Sequence, residues 1–306
     1  MRTVTVKARA VGTIPLAEVS GLAHGSGPGG APVLVAIGDR AGVIAWAATE
    51  SARAGGHWET FGLGSGSGTR ITDGAAQLEA VAIDGAGGVL LVQEAPNRAE
   101  FIDSTRRQVV AEVTLVMPEE SDARGYRRLR TSWLDPDCSH AEGVVLLRDG
   151  HLLVVKEKDP PALLEFGPAG QAPGGFGPDR WLGPDEAWSV GEGAVELLAL
   201  AAWYPDGELA RACPDLSDAD VGGRALVLLS DKGSAFALVG AHGPAAEPFE
   251  GEVTAEVVVR VKGLADKPEG VVVLPDGDVL IACDMRGHEA PNLFLVTHAD
   301  WDRADR

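Results

Sequence analysis

Residues Ala141 to Glu157 read AEGVVLLRDGHLLVVKE: a glutamate, a glycine, an apolar run, the dipeptide Asp149-Gly150, a second apolar run and a closing glutamate. An Asp-Gly pair supplies the left-handed backbone angles of a tight hairpin, so this stretch predicts strand, turn and antiparallel strand. The same design recurs as LEAVAIDGAGGVLLVQE from Leu78 to Glu94 and as PEGVVVLPDGDVLIACD from Pro268 to Asp284, where Asp276-Gly277 marks the turn. Two looser copies join them: VSGLAHGSGPGGAPVLVAIGD from Val19 to Asp39 and LSDADVGGRALVLLSD from Leu216 to Asp231.

Internal repeats of this kind mark arrays in which each unit buries its apolar faces against the next. The leading positions, Ser20, Glu79, Glu142, Ser217 and Glu269, are spaced widely enough for two further strands in each copy. Candidates for those strands are Val43 to Trp46, Val109 to Val116, Leu163 to Phe166, Ala194 to Trp203, Phe236 to Val239, Val253 to Val261 and Leu293 to Val296. The predicted fold is all-β: a single β-propeller over residues 1–306 with five four-stranded blades, radial repetition leaving only short edges. Six blades is the alternative, since the interval from Glu142 to Ser217 could hide a degenerate copy. The amino-terminal strand, Val4 to Val11, is expected to pair with the last blade and close the ring.

Composition agrees with this reading. The 306 residues are 45% hydrophobic with 40 glycines and 19 prolines, enough for a core and for many turns. A net charge of −19 repels phosphate backbones and anionic membranes, which excludes nucleic acid and lipid and leaves a small molecule as the expected partner of a monomer. Cys138, Cys213 and Cys283 show no zinc or redox spacing and are read as reduced and buried. The opening MRTVTVKARAV has no apolar signal core, and the longest apolar run, Ala194 to Trp203, is too short to span a bilayer, so a cytoplasmic location is expected.

In the three clear copies the leading glutamate and the trailing carboxylate are 15 residues apart, at Glu79 and Glu94, Glu142 and Glu157, Glu269 and Asp284. The first strand of a propeller blade lines the channel and the second returns beside it, so both ends fall on one face. Glu79, Glu142 and Glu269, with Ser20 and Ser217, are predicted to form an inner circle, and Asp39, Glu94, Glu157, Asp231 and Asp284 an outer one. Crowded carboxylates require neutralisation. Two means stand open: a divalent ion, Ca²⁺ before Mg²⁺ or Mn²⁺, or pairing with Arg40, Arg98, Lys158, Lys232 and Arg286, which follow the outer carboxylates. No base directly follows an inner glutamate, so Glu79, Glu142 and Glu269 are the candidate metal ligands.

Glu157, His140 and Asp231 are the candidate general bases, and Lys156, Asp39, Glu94, Asp284 and Arg286 the candidate substrate contacts. A hydrogen-bonded loop role for His140 and a salt-bridged role for Lys156 are the plainer alternatives. Ser20 and Ser217 lack a nearby His and Asp set and read as hydrogen-bonding channel residues, not nucleophiles. Trp58, Trp133, Trp181, Trp188 and Trp203 read as packing between blades, and Gly64-Ser65-Gly66-Ser67-Gly68 as a loop without the Lys-Ser/Thr of a phosphate site. Pro118 to Arg130 and Gly167 to Asp185 fit the repeat poorly and are read as lids over one face.

The segments AEGVVLLRDGHLLVVKEKDPPALLEF (Ala141 to Phe166), DLSDADVGGRALVLLSDKGSAFAL (Asp215 to Leu238) and KPEGVVVLPDGDVLIACD (Lys267 to Asp284) resemble the SdiA-regulated, YjiK-like family of calcium-regulated β-propellers. Glu142-Gly143 and Glu269-Gly270 are more distantly similar to the regucalcin and gluconolactonase propellers, where a glutamate in this context helps hold a divalent ion over the channel. The resemblances imply a divalent-cation-binding propeller and favour a metal-dependent hydrolase of lactones, esters or phosphate esters. A non-catalytic sensory propeller with a structural Ca²⁺ and a biosynthetic enzyme using the carboxylates for acid–base chemistry are the alternatives.

Overall fold

The computed structural model describes residues 1–27, 29–39, 42–62, 77–93, 97–105, 108–135, 141–285 and 291–302. Its strands, in chain order, are β1 (Arg2–Lys7), β2 (Arg9–Gly12), β3 (Val19–Ser26), β4 (Pro32–Gly38), β5 (Val43–Ala48), β6 (Glu59–Gly62), β7 (Leu78–Ile83), β8 (Gly88–Gln93), β9 (Arg98–Asp103), β10 (Gln108–Val116) and β11 (Ala141–Leu146). They continue as β12 (Leu152–Lys156), β13 (Ala162–Pro168), β14 (Gly193–Pro205), β15 (Asp218–Gly222), β16 (Ala225–Ser230), β17 (Ala235–Val239), β18 (Gly251–Val253), β19 (Ala255–Lys262), β20 (Lys267–Val273), β21 (Val279–Asp284) and β22 (Leu293–Val296). The fold is an all-β propeller.

Among the described residues, the innermost strands β3, β7, β11, β15 and β20 follow one another round an axis, β20 returning to β3. Each starts an antiparallel run outward: β3-β4-β5-β6, β7-β8-β9-β10, β11-β12-β13-β14, β15-β16-β17-β19 and β20-β21-β22-β2. The second and third runs are fused at their rims, where β10 and β14 pair in parallel. Between each pair of neighbouring runs lies one hydrophobic cluster, such as Val35, Ile37 and Ile44 against Val81, Val89 and Leu91. A sheet covered on both faces needs apolar residues at every position, which is why β8 (GVLLVQ) and β12 (LLVVK) are buried throughout and do not alternate.

The expected strand at Val4 to Val11 is two strands. β2 pairs antiparallel with β22 and completes the last run, while β1 lies parallel to β19 on the rim of the run before it. The two hairpin turns also differ in kind. Asp149 and Gly150 both have positive φ (62° and 75°), as the mirror-image turn requires, whereas in Asp276-Gly277 only Gly277 does (84°), inside a wider turn that Leu274 and Asp278 close. β6 and β9 were not expected from sequence; Glu59, Arg98, Glu100 and Asp103 interrupt their apolar pattern.

All five tryptophans read as packing residues are buried. Cys213 and Cys283 are buried free thiols, held well above the ordinary thiol range, at about 12, chiefly by burial; Cys138 lies outside the described residues. No helix among the described residues is long and apolar enough to cross a membrane.

Candidate functional site

The inner strands begin at one end of the channel in a cavity of about 220 Å³. Its walls carry Ser20, Glu79, Glu142, Ser217 and Glu269 from the starts of the inner strands or the residue just before them, and Asp39, Glu157, Asp231 and Asp284 from the ends of the second strands. Nine of the ten positions assigned to the two circles thus meet in one space; Glu94 lies outside the described residues, as do His140, Arg40 and Arg286.

The backbone explains why leading residues face the cavity. Where β3 pairs with β4, the register jumps from Val19 to Gly21. Equivalent jumps pass over Glu79 (Leu78 to Ala80), Glu142 (Ala141 to Gly143) and Glu269 (Pro268 to Gly270). Each leading residue is therefore the extra residue of a β-bulge, a device that kinks the strand and re-aims one side chain. The glycine that follows serves packing: a Cβ on Gly143 would stand 2.8 Å from the Ala219 nitrogen, and one on Gly270 2.8 Å from the Leu22 Cβ. The Glu-Gly pair thus combines an aimed carboxylate with close approach of the next inner strand.

Hydroxyls lock this ring. Ser20 Oγ donates to the Leu78 carbonyl (2.5 Å), next to Glu79, and Ser217 Oγ donates to the Pro268 carbonyl (2.9 Å), next to Glu269. The fourth inner strand has no bulge but carries Asp218, which sits wholly buried one residue deeper than the ring. Its carboxyl accepts from Val271 N (2.7 Å) and Ala219 N (2.8 Å), so it satisfies edge N–H groups of two inner strands. Asp220 repeats the contact further down, accepting from Val273 N at 2.7 Å. Asp218 is thus a cross-tie between neighbouring blades.

Seven carboxylates and two lysines, Lys158 and Lys267, line the cavity. Lys158 Nζ pairs with Glu157 at 2.7 Å and Lys267 Nζ with Glu269 at 3.6 Å. Lys232, expected beside Asp231, instead reaches Asp215 at 3.5 Å. The excess of negative charge is visible in the acidities. Burial first, then repulsion from Asp231, Asp284 and Glu157, pushes Glu269 up to about 8 against the opposing pull of Lys267. Burial, then Asp284 and Glu18, pushes Asp39 up to about 6, offset in part by the Ser20 hydroxyl. Asp231 is raised by burial and by Asp215.

Lys156 stands apart from the other sequence candidates. It is fully buried, its Nζ donates to the Lys158 carbonyl, and it does not line the cavity. Lys267 and Gln77, which do line it, were not singled out from sequence. Each lies two positions before an inner glutamate, and that spacing is the signal that could have found them. Among the described residues, no three His, Cys, Asp or Glu side chains stand close enough together to clasp a bare metal ion. The donor set, carboxylate and hydroxyl oxygens, suits a hard cation that keeps part of its water shell.

No protein-family model matches the chain, and no curated protein matches it in sequence. Solved structures do. The glutaminyl cyclase of Myxococcus xanthus superimposes with a TM-score of 0.50 at 13% identity, covering 96% of this chain and 97% of that one. A streptogramin B lyase gives 0.46 at 9% identity, covering 94% and 97%. An inactive virginiamycin B lyase of Staphylococcus aureus, solved with quinupristin, gives 0.42 at 10%, covering 96% and 72%. At such identities only the cyclase match bears on this chain, and it bears on the fold alone: the chain is a β-propeller.

Proposed function

We propose that the acidic channel mouth is the working site of a propeller enzyme that takes up a divalent cation, Ca²⁺ before Mg²⁺ or Mn²⁺, and hydrolyses a small lactone, ester or phosphate ester. The observation that carries the reading is the accumulation of seven carboxylates and only two lysines round one cavity, with Glu269 driven to about 8 and Asp39 to about 6. Part-buried carboxylates that repel one another resist ionisation, and a site of that kind gains from exchanging a proton for a cation. Glu79, Glu142 and Glu269 would hold the ion, through water where the carboxylates stand too far apart. When bound, it would polarise the scissile oxygen and acidify a water molecule.

The chain's own residues supply the rest. Asp231, whose carboxyl is made more basic by burial and by Asp215, is the better placed base; Glu157 is already engaged by Lys158 and serves to position. Asp39 and Asp284 crowd the rim and favour a substrate with hydroxyls or a positive group there. The similarity of the repeats to SdiA-regulated and regucalcin-like propellers supports the same reading.

A second reading, acid–base catalysis by the carboxyls with no metal, is favoured by the absence of a compact metal-clasping trio among the described residues and by a Glu269 that is protonated at pH 7. One experiment separates the two. Chelator-treated protein is titrated calorimetrically with CaCl₂, MgCl₂ and MnCl₂, then assayed on generic lactone, p-nitrophenyl ester and phosphate ester substrates with and without the ion. The proposal expects saturable binding that Glu142→Gln with Glu269→Gln abolishes, and turnover that needs the ion. Turnover indifferent to chelator supports the metal-free reading; binding without turnover on any substrate leaves a sensory propeller, and neither binding nor turnover defeats both.

A further inference from the structure

The inner strands run from the acidic mouth to the opposite end of the channel, where they open into a second cavity of about 390 Å³. Its walls are mainly apolar, formed by residues such as Val81, Ile83, Val145, Val221 and Val273. One side is closed by Leu182, Gly183 and Pro184, part of the long connection between β13 and β14. That connection is pinned down: Ser26 Oγ donates to the Pro184 carbonyl (3.1 Å), Gly85 N to the Glu186 carbonyl (2.9 Å) and Trp188 N to Asp84 Oδ2 (2.8 Å). The wall is therefore a fixed part of the cavity, of a size common for small-molecule pockets.

Three titratable side chains reach this space, and two are already engaged. The Asp84 carboxylate accepts from Ala86 N (2.9 Å), Gly88 N (2.7 Å) and Trp188 N (2.8 Å), and Asp220 accepts from Val273 N (2.7 Å). His24 differs. Its Nε2 is buried with no hydrogen-bond partner among the described residues, and burial lowers its pKa, so the ring is a neutral imidazole. A buried polar atom without a partner is a standing cost that a ligand group can relieve. No Lys or Arg lines the cavity among the described residues, and the chain carries a net charge of −19, so nothing there would hold an anion.

We propose that this opposite mouth is a second binding site, distinct from the acidic one, for an uncharged aromatic molecule bearing a hydroxyl that pairs with His24 Nε2 while its rings lie against the valine walls. The inference is independent of the function proposed for the acidic mouth. It is tested by fluorescence titration of the full chain with 2-naphthol and with 2-methylnaphthalene, which keeps the rings and lacks the hydroxyl. The expected result is saturable binding of both, naphthol about tenfold tighter, the worth of one good hydrogen bond. His24→Leu should remove that tenfold difference by weakening naphthol alone. Val221→Trp should abolish both, and Pro275→Trp at the exposed rim provides the same test should the first variant not fold. Glu269→Gln, at the other mouth, should change neither. Absence of saturable naphthol binding, binding untouched by His24→Leu and by a folded Trp variant, or binding lost in Glu269→Gln would each overturn the proposal.

Discussion

Glu165 is a wholly buried glutamate and Glu269 a part-buried one, and the protein treats them in opposite ways. Glu165, on β13, is wholly enclosed and fully partnered: it accepts from His151 Nδ1 (2.7 Å), Gly174 N (2.9 Å) and Gly175 N (2.9 Å), with Arg180 nearby at 3.8 Å. These bonds fasten the start of the long connection that walls the second cavity. Glu269 faces three other carboxylates across a cavity with one lysine at 3.6 Å, and its proton is held up to about 8. A carboxylate surrounded by donors is structure; one surrounded by its own kind is a candidate for a functional role. Glu165 is the more deeply buried of the two, so what separates them is the donors that burial brings to one and withholds from the other.

The comparison can be broken most forcefully at Glu165. Replacing it with Ala removes the acceptor for three donors, two of them buried, and unfolding in urea should show a loss of about 3–5 kcal/mol, the range for breaking a buried charged network. A loss under about 1 kcal/mol would mean the two glutamates are not so different. At the mouth the signs reverse. If Ca²⁺ binds there, a hundredfold excess over its dissociation constant should raise stability by about 2.7 kcal/mol, measured by thermal melting, and Glu142→Gln with Glu269→Gln should erase the gain.

Proton linkage sharpens the contrast further. The Glu269 pKa lies near 8 in the folded chain against 4.5 when unfolded, so its contribution to stability is complete below pH 4.5 and is lost as pH rises through 8. Asp39 adds a similar loss between its ordinary 3.8 and about 6. Glu269→Gln should therefore flatten the metal-free stability profile between pH 5 and 8 and be the more stable protein at pH 9, by roughly 2 kcal/mol. That figure is well short of the roughly 5 kcal/mol that an isolated group shifted from 4.5 to about 8 would give, because the coupled carboxylates share the protonation. A variant less stable than the parent at pH 9 would contradict the charge-crowding account. The smallest effect belongs to the serines: Ser217→Ala should cost about 1 kcal/mol in denaturant, the worth of its bond to the Pro268 carbonyl, with little change in the pH profile.

Much of the site was legible in the chain because strand geometry is periodic. Two antiparallel strands joined by a short turn return to their starting edge, so the 15-residue interval from Glu142 to Glu157 could only bring both carboxylates to one face. Five such hairpins then placed nine residues in one cavity. The buried ends of Lys156 and Asp218 were not legible, since both sit where alternation along a strand leaves either face open. The division of the amino-terminal segment between two sheets was hidden too: Thr3-Val4-Thr5-Val6 and Arg9-Ala10-Val11 are equally good strand formers, and their partners lie more than 250 residues away.

The sequence by itself determined the repeat, the hairpins and which carboxylates would share an end of the channel, because those follow from local spacing. Only the tertiary structure decided that bulges aim the leading residues, that Asp218 and Asp220 tie neighbouring inner strands, and that the channel opens into two unlike cavities. Those features depend on how closely one blade approaches the next, and no single strand carries that distance in its own residues.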